Sequence, residues 1–154
     1  MFSFAPMYVQ DPTKLSGRPL PPMSMELVKG GKLSIASLKG KVVILDFWAT
    51  WCVPCVAASP TMEKLYEKYK SKGIVVVGSN LNDPLAKAIG YAKEHHYTYT
   101  FTANNLGIAQ KLGISAIPVF IFVDRKGVVR RVDTGFDASS PASWEKTVKE
   151  LLAS

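Results

Sequence analysis

The chain has 154 residues, 47% of them hydrophobic, and a formal net charge of +7 from 19 Lys+Arg against 12 Asp+Glu. That length and composition suit one globular domain with one sizeable core, and they exclude disordered and collagen-like classes and any apolar run near the roughly 20 residues of a membrane-spanning helix. The basic residues are densest at Arg125, Lys126, Arg130 and Arg131, with no stripe of interleaved aromatics; nucleic acid is therefore not an expected partner, and the four read as a solvated turn and strand that aid solubility.

Residues 1–16 read as a lead-in or tether remnant and 17–154 as the domain. Phe2, Phe4, Met7 and Tyr8 are apolar enough to pack on it. The first 20 residues lack a basic start and a continuous apolar segment and contain Pro6, Asp11, Pro12 and Pro19. They do not resemble a secretory signal, which leaves a cytoplasmic chain or one trimmed of a signal or anchor.

Residues 25–35 predict a hairpin turning at Gly30-Gly31, and 37–41 a turn ending in Gly40. Residues 42–48 (VVILDFW) are apolar on both faces, the pattern of a covered central strand. A helix follows over 53–72, with Met62, Leu65, Tyr66 and Tyr69 at helical spacing, Pro60 expected to kink it, and Gly73 ending it. Residues 74–78 predict a second buried strand. Asp83-Pro84 predicts a helix start with proline in the first position, running to about His95. Residues 97–102 alternate as a short edge strand. Asn105 is placed to cap a short helix ended by Gly113. Residues 119–124 and 128–133 form an antiparallel pair around a tight turn, and Ser140-Pro141 opens a last helix with Trp144, Val148 and Leu151 on one face. The order hairpin, β, α, β, α, β, α, β, β, α predicts an α/β sheet with helices on both faces.

The only two cysteines are Cys52 and Cys55. A chain this size needs no staple, and a disulfide closing so short a loop removes little unfolded-state entropy. The pair therefore reads as chemistry. Cys52 directly precedes a helix, where unpaired N–H groups favour a thiolate. Cys55 lies one turn later, close by and more shielded. Cys52 is then the attacker of a substrate disulfide, and Cys55 resolves the mixed disulfide. Asp46 stands mid-strand among apolar residues, where an isolated carboxylate is costly and should be protonated in part or linked to water. It reads as a proton acceptor for Cys55 or as a structural group bonded to backbone; its position beneath the cysteines favours the former. Trp51 is expected at the surface beside Cys52, with Trp48 packed behind. Ile117-Pro118 immediately precedes a buried strand, where proline marks a special geometry.

Zinc would normally take four ligands, and only the adjacent His95 and His96, at a helix end, could join the cysteines; no metal is expected. A c-type haem site needs histidine directly after the second cysteine, where Val56 stands. A peroxiredoxin-like thiol peroxidase places Thr or Ser three residues before its reactive cysteine, where this chain has Ala49. A non-catalytic redox-fold binding module is disfavoured by the intact cysteine pair, and copper-handling modules by the lack of any histidine after His96.

The stretch SLKGKVVILDFWATWCVPC, the extra βα segment around 84–102, GISAIPV and the turn at 124–127 resemble the thioredoxin superfamily from about residue 17 onward. The likeness is to its TlpA/ResA-like branch, an AhpC/TSA-type redoxin domain. The resemblance implies a thioredoxin-like fold: a central mixed sheet flanked by helices, with an N-terminal hairpin and an inserted βα segment. It implies a thiol–disulfide oxidoreductase serving cell redox homeostasis without a cofactor, with Cys52, Cys55, Asp46 and a cis Pro118 at the active site. Trp51, Pro54 and Ile117 would dock substrate, the last through its backbone. A monomer is expected, in the periplasm or elsewhere outside the cytoplasm. It would act on protein disulfides such as those of apocytochromes c, recharged by an electron-donor dithiol protein in the membrane. Two positions depart from the branch. Ala58 stands where many members carry Glu, which weakens a dedicated cytochrome-maturation role. Asp46 stands where many have Asn; with Pro54, it resembles the reducing members, so a reductant is expected.

Overall fold

The computed structural model describes residues 10–154, so the expectation for Phe2, Phe4, Met7 and Tyr8 lies outside the described residues. Strand β3 (Val42–Trp48) is buried along its whole length. It pairs in parallel with β4 (Ile74–Asn80) and antiparallel with β6 (Val119–Val123), so its backbone groups are bonded on both sides. β1 (Ser24–Leu27), β2 (Lys32–Ser34), β5 (Thr100–Ala103) and β7 (Val129–Thr134) complete a seven-stranded mixed sheet in the order β2-β1-β5-β4-β3-β6-β7.

Alternation along β3 divides the core. Ile44 and Trp48 face helices α1 (Val53–Tyr69), α2 (Leu85–Glu94) and α4 (Ser140–Ala153), packing with Met62, Tyr91, Phe120 and Trp144. Val43, Leu45 and Phe47 face the other way, packing with Ala109 of α3 (Leu106–Lys111), Leu112, Ile121 and Leu15. The expected α/β architecture, with its hairpin and inserted βα segment, is present. The turn at Gly30 and Gly31 has φ of +102° and +85°, a left-handed path that suits glycine.

Several local expectations are corrected. β5 is an interior strand: the hairpin adds to its outer side through Glu26↔Ala103 and Leu27↔Thr102. Pro84 is the cap residue of α2, one place before the helix. Asn105 holds the cap position of α3, but its side chain makes no capping bond; its buried amide donates to the Asn80 carbonyl and to Thr102 Oγ1, both at 3.0 Å.

The basic cluster is largely structural. The Arg125 guanidinium donates to the carbonyls of Gly40 at 2.8 Å and of Lys72 and Leu152 at 3.2 Å each, joining the ends of α1 and α4 to the turn before β3. Arg130 pairs with Asp124 at 2.8 Å. Arg131 grips Asp133 through two nitrogens and bonds to Ser143 and Thr147 of α4. Residues before β1 are also bound in: Leu15 is buried, and Gly17, Arg18 and Leu20 exchange backbone hydrogen bonds with Val129 and Gly127 along the outer side of β7.

Gly73 ends the first helical segment at φ +106°, and a Cβ there would sit 2.9 Å from Arg125 Nη1. The guanidinium cannot swing aside without releasing its carbonyls. Gly73→Ala should therefore cost about 1–3 kcal/mol from backbone strain and overlap together. In urea unfolding the cost should be smaller in an Arg125→Ala background, where only the strain remains.

Candidate active site

β3 delivers the chain to the sheet edge at Trp48, and α1 starts almost at once. Cys52 is the cap residue of α1, with extended backbone and its Sγ accepting the Cys55 N–H at 3.3 Å. The sulfur thus lies among the unpaired N–H groups of the first turn, as expected. Cys52 and Cys55 form a disulfide with a Cα–Cα distance of 5.2 Å. The two differ in access: Cys52 is 6% exposed and Cys55 0%. The expected order holds, but Cys52 shows solvent only a small part of its surface.

The exposed apolar surface belongs to its neighbours. Trp51 is 62% exposed and Val53 81%, while Trp48 is buried against Tyr91 and Phe101. Pro54 is exposed and Ile117 half-buried beside the pair. Val53 was not among the expected docking residues, since its place in the Cys-x-x-Cys unit carries no signal of exposure. The Ile117–Pro118 bond is cis and Pro118 is buried. Cys52 Sγ lies 3.8 Å from the Ile117 carbonyl oxygen. Only the protonated thiol can turn that contact into a hydrogen bond, since the disulfide and the thiolate have no proton to give.

Asp46 shares the α1 face of β3 with Ile44 and Trp48. It is fully buried, and neither carboxylate oxygen has a hydrogen-bond partner, which excludes the backbone-bonded structural role. Burial pushes its pKa up to about 8. Such a carboxyl carries its proton near neutrality and exchanges it at little cost. Ala58, one turn beyond Cys55, is also fully buried and brings no carboxylate to this space.

One organising residue was not legible in the sequence. Asp83 follows β4 and was read as a helix start, yet its carboxylate accepts the Thr50 N–H and the Thr50 hydroxyl, both at 2.7 Å, and the Asn80 amide at 2.8 Å. Burial works against its charge, but the bonds from Asn80 and Thr50 outweigh it and hold the carboxyl below the usual range. Asp83 thereby fixes the Thr50–Trp51 approach to Cys52. The signal available was Asp-Pro at a strand end, which fits a cap equally well.

His95 and His96 sit at the exposed end of α2. Among the described residues no cluster of metal-ligating side chains occurs. No helix there is long and apolar enough to cross a membrane.

Residues 15–151 match the Redoxin family. The chain belongs to that family. This redoxin is 36% identical over 124 residues to the thiol:disulfide interchange protein DsbE of Pseudomonas fluorescens biotype C, covering 77% of this chain and 66% of that one. It is 30% identical over 112 residues to the thiol-disulfide oxidoreductase ResA of Halalkalibacterium halodurans, covering 72% and 64%. It therefore spans a little under two thirds of the length of these curated relatives. A crystal structure of a thiol:disulfide interchange protein, a thioredoxin family protein from Chlorobium tepidum TLS, matches with a TM-score of 0.78 at 32% identity, covering 87% of this chain and 95% of that one. The expected family and thioredoxin-like fold are both borne out.

Because the folded chain holds the Asp46 proton up to about pH 8 and the unfolded chain releases it near the ordinary 3.8, the native state binds more protons across that interval. Stability then falls as pH rises through it. Asp46→Asn should raise the melting temperature progressively more between about pH 4 and pH 8; a gain largest at the acid end would contradict this. Asp83→Ala strands the Thr50 donors and should cost about 1–3 kcal/mol in chemical denaturation. It should also slow Cys52 alkylation or disulfide exchange by disordering the approach to the sulfur.

Proposed function

We propose that this redoxin is a thiol–disulfide oxidoreductase that reduces protein disulfides through a Cys52–Cys55 dithiol/disulfide cycle. The observation that carries this reading is the Cys52–Cys55 disulfide at the start of α1, with only Cys52 reaching the surface, beside exposed Trp51 and Val53. The Cys52 thiolate attacks one sulfur of the substrate disulfide, and the other leaves as a thiolate that takes a proton from solvent. In the fraction of molecules whose Asp46 is ionised, Asp46 takes the Cys55 proton, and the Cys55 thiolate attacks the Cys52 sulfur. The Cys52–Cys55 bond forms, the second substrate thiolate departs, and two electrons have moved to the substrate. Trp51, Val53 and Pro54 offer the docking surface, and the Ile117 backbone beside Pro118 pairs with the substrate strand.

The working site is outside the cytoplasm, in the periplasm or its equivalent, where protein disulfides form and persist. An electron-donor dithiol protein, membrane-bound in the expected arrangement, recharges the pair, and the chain acts as a monomer. The substrates are disulfide-bearing proteins in general, since Ala58 supplies no carboxylate for a dedicated cytochrome-maturation role. The peroxidase alternative gains no support from Ala49, a fully buried methyl side chain with no hydroxyl to offer Cys52.

Insulin reduction by dithiothreitol should be accelerated by the wild type and not by Cys52→Ser; equal rates would sink the catalytic reading in favour of a binding module. Equilibration with glutathione, followed by the fluorescence of Trp48 and Trp51, should place the potential nearer the roughly −270 mV of thioredoxin than the roughly −120 mV of DsbA. A potential above the glutathione couple would reverse the direction. Hydrogen peroxide consumption dependent on Cys52 would move the assignment to a peroxidase.

A further inference from the structure

The chain carries 19 Lys+Arg and 12 Asp+Glu, yet one end of the sheet is almost without charge. β3, β4 and β5 run parallel, so the loops after them emerge together at the edge that holds Cys52. Residues 49–57, 81–86 and 104–110 form these loops and the starts of α1, α2 and α3, and residues 114–118 bring in the cis Pro118. Their one charged residue is Asp83, which is buried and committed to Thr50 and Asn80. The large apolar side chains that stand exposed among the described residues are Trp51, Val53, Leu85 and Leu106, and all four lie on this edge. Leu85 is 50% exposed and Leu106 42%, where the rest of the fold covers such side chains. One buried polar network fixes their positions. Thr50 is held by Asp83, whose carboxylate accepts the Asn80 amide at 2.8 Å and whose N–H donates to Asn80 Oδ1 at 3.0 Å. The Asn80 carbonyl in turn accepts the Asn105 N–H at 3.1 Å. Each loop thus ties down a polar residue, Thr50, Asp83 or Asn105, and within two positions turns an apolar one outward, Trp51, Leu85 or Leu106. Neighbouring strands lie about 4.8 Å apart, so the step from β3 to β5 is about 10 Å, the reach of about three residues of extended chain.

We propose that Trp51, Leu85 and Leu106 form a docking strip for an extended, uncharged and apolar segment of the substrate polypeptide, lying within about three residues of the cysteine under attack. The inference rests on the oxidoreductase reading above and names the kind of substrate that the Cys52 site takes. Three observations select this occupant. The strip is continuous with the surface beside Cys52, because the strand order β5-β4-β3 sets Leu106, Leu85 and Trp51 in a line that ends at the sulfur. A charged segment would shed water along it and meet no counter-charge. Charge returns at the borders, with Lys87 and Lys111 further along α2 and α3, and Glu26 accepting from the Asn104 amide at 2.7 Å. Finally, Cys52 is recessed while Trp51 and Val53 project on either side of it in the chain, so a substrate disulfide must enter a notch. A deformable segment can do so where a flat folded surface cannot. Apolar, cysteine-bearing segments are exposed before a protein has folded and buried afterwards, so the substrate is a partly unfolded chain. The thiol–disulfide step itself is unchanged. Leu85 and Leu106 add apolar contact from positions already held in place, so little order has to be gained on binding.

The test compares kcat/KM of the reduced full chain on short peptides, each joined to glutathione by a disulfide at a central cysteine. One peptide carries leucines at positions up to about three residues from the cysteine, one carries serines there and one aspartates. At about 0.15 M salt, where exposed charges more than about 8 Å apart are screened, the leucine peptide should react about tenfold faster than the serine peptide. The aspartate peptide should react no faster than the serine peptide. Leu85→Ser and Leu106→Ser should each cut the preference for leucine about threefold, and the double variant should remove most of it. Both side chains are exposed, so neither change opens a cavity in the core. Equal rates on the leucine and serine peptides in the wild type overturn the strip and leave the oxidoreductase reading standing. An undiminished preference in the double variant also overturns it. An aspartate peptide that reacts fastest overturns it in favour of recruitment by the net positive charge. If the wild type reduces no peptide faster than Cys52→Ser does, the oxidoreductase reading fails and the strip fails with it.

Discussion

A strand with both faces out of water must have every backbone group paired by neighbours and must terminate where the chain can reach solvent again. β3 meets the first condition through β4 and β6 and the second at Trp48, and the site is a consequence of where it ends. The turn that follows is so short that the first residue able to start α1 is Cys52. The sulfur thus acquires the helix N-terminus without any residue dedicated to that purpose. The same covered strand makes Asp46 unusual. Any side chain at that position is sealed by α1 above and by β4 and β6 on either side, so a carboxyl there is governed by desolvation and little else.

The two aspartates near the cysteines are displaced in opposite directions for opposite reasons. Asp83, on the loop after β4, has enough donors to overcome its burial and stays charged, holding Thr50 in place. Asp46 has none and is forced towards its neutral form. One carboxylate is therefore a fixed, charged strut and the other a buried group held towards its neutral form.

What could be read from the sequence was what period and local chemistry encode. The double-sided apolar run of β3, the helical spacing of Met62 and Leu65, the glycine turns and the two cysteines each have a local signature, and each stands where it was placed. Features set by long-range pairing had none. β5 alternates like an edge strand, yet the hairpin from far earlier in the chain completes its outer side. Asp83 and Asn105 both have side chains that cap helices, and both are used instead to join loops across the sheet. Arg125 and Arg131 have the composition of a solvated turn, but their guanidiniums find carbonyls at Gly40, at Lys72 just after α1 and in α4, and a carboxylate in β7. The partition of exposure between Val53 and Cys52, adjacent residues, depends on how α1 lies on the sheet, and no spacing expresses that.

The borders of the sheet have their own significance. A strand with an open side invites a foreign strand to add to it. Here one border is β2, only three residues long and beginning with Lys32. The other is β7, whose first residues are covered by Gly17, Arg18 and Leu20 and whose next positions carry Arg130 and Arg131, held in ion pairs. The first residues of the domain thus act as a guard rail along the start of the fold's longer border. They leave that stretch of sheet backbone already paired and closed to a further strand.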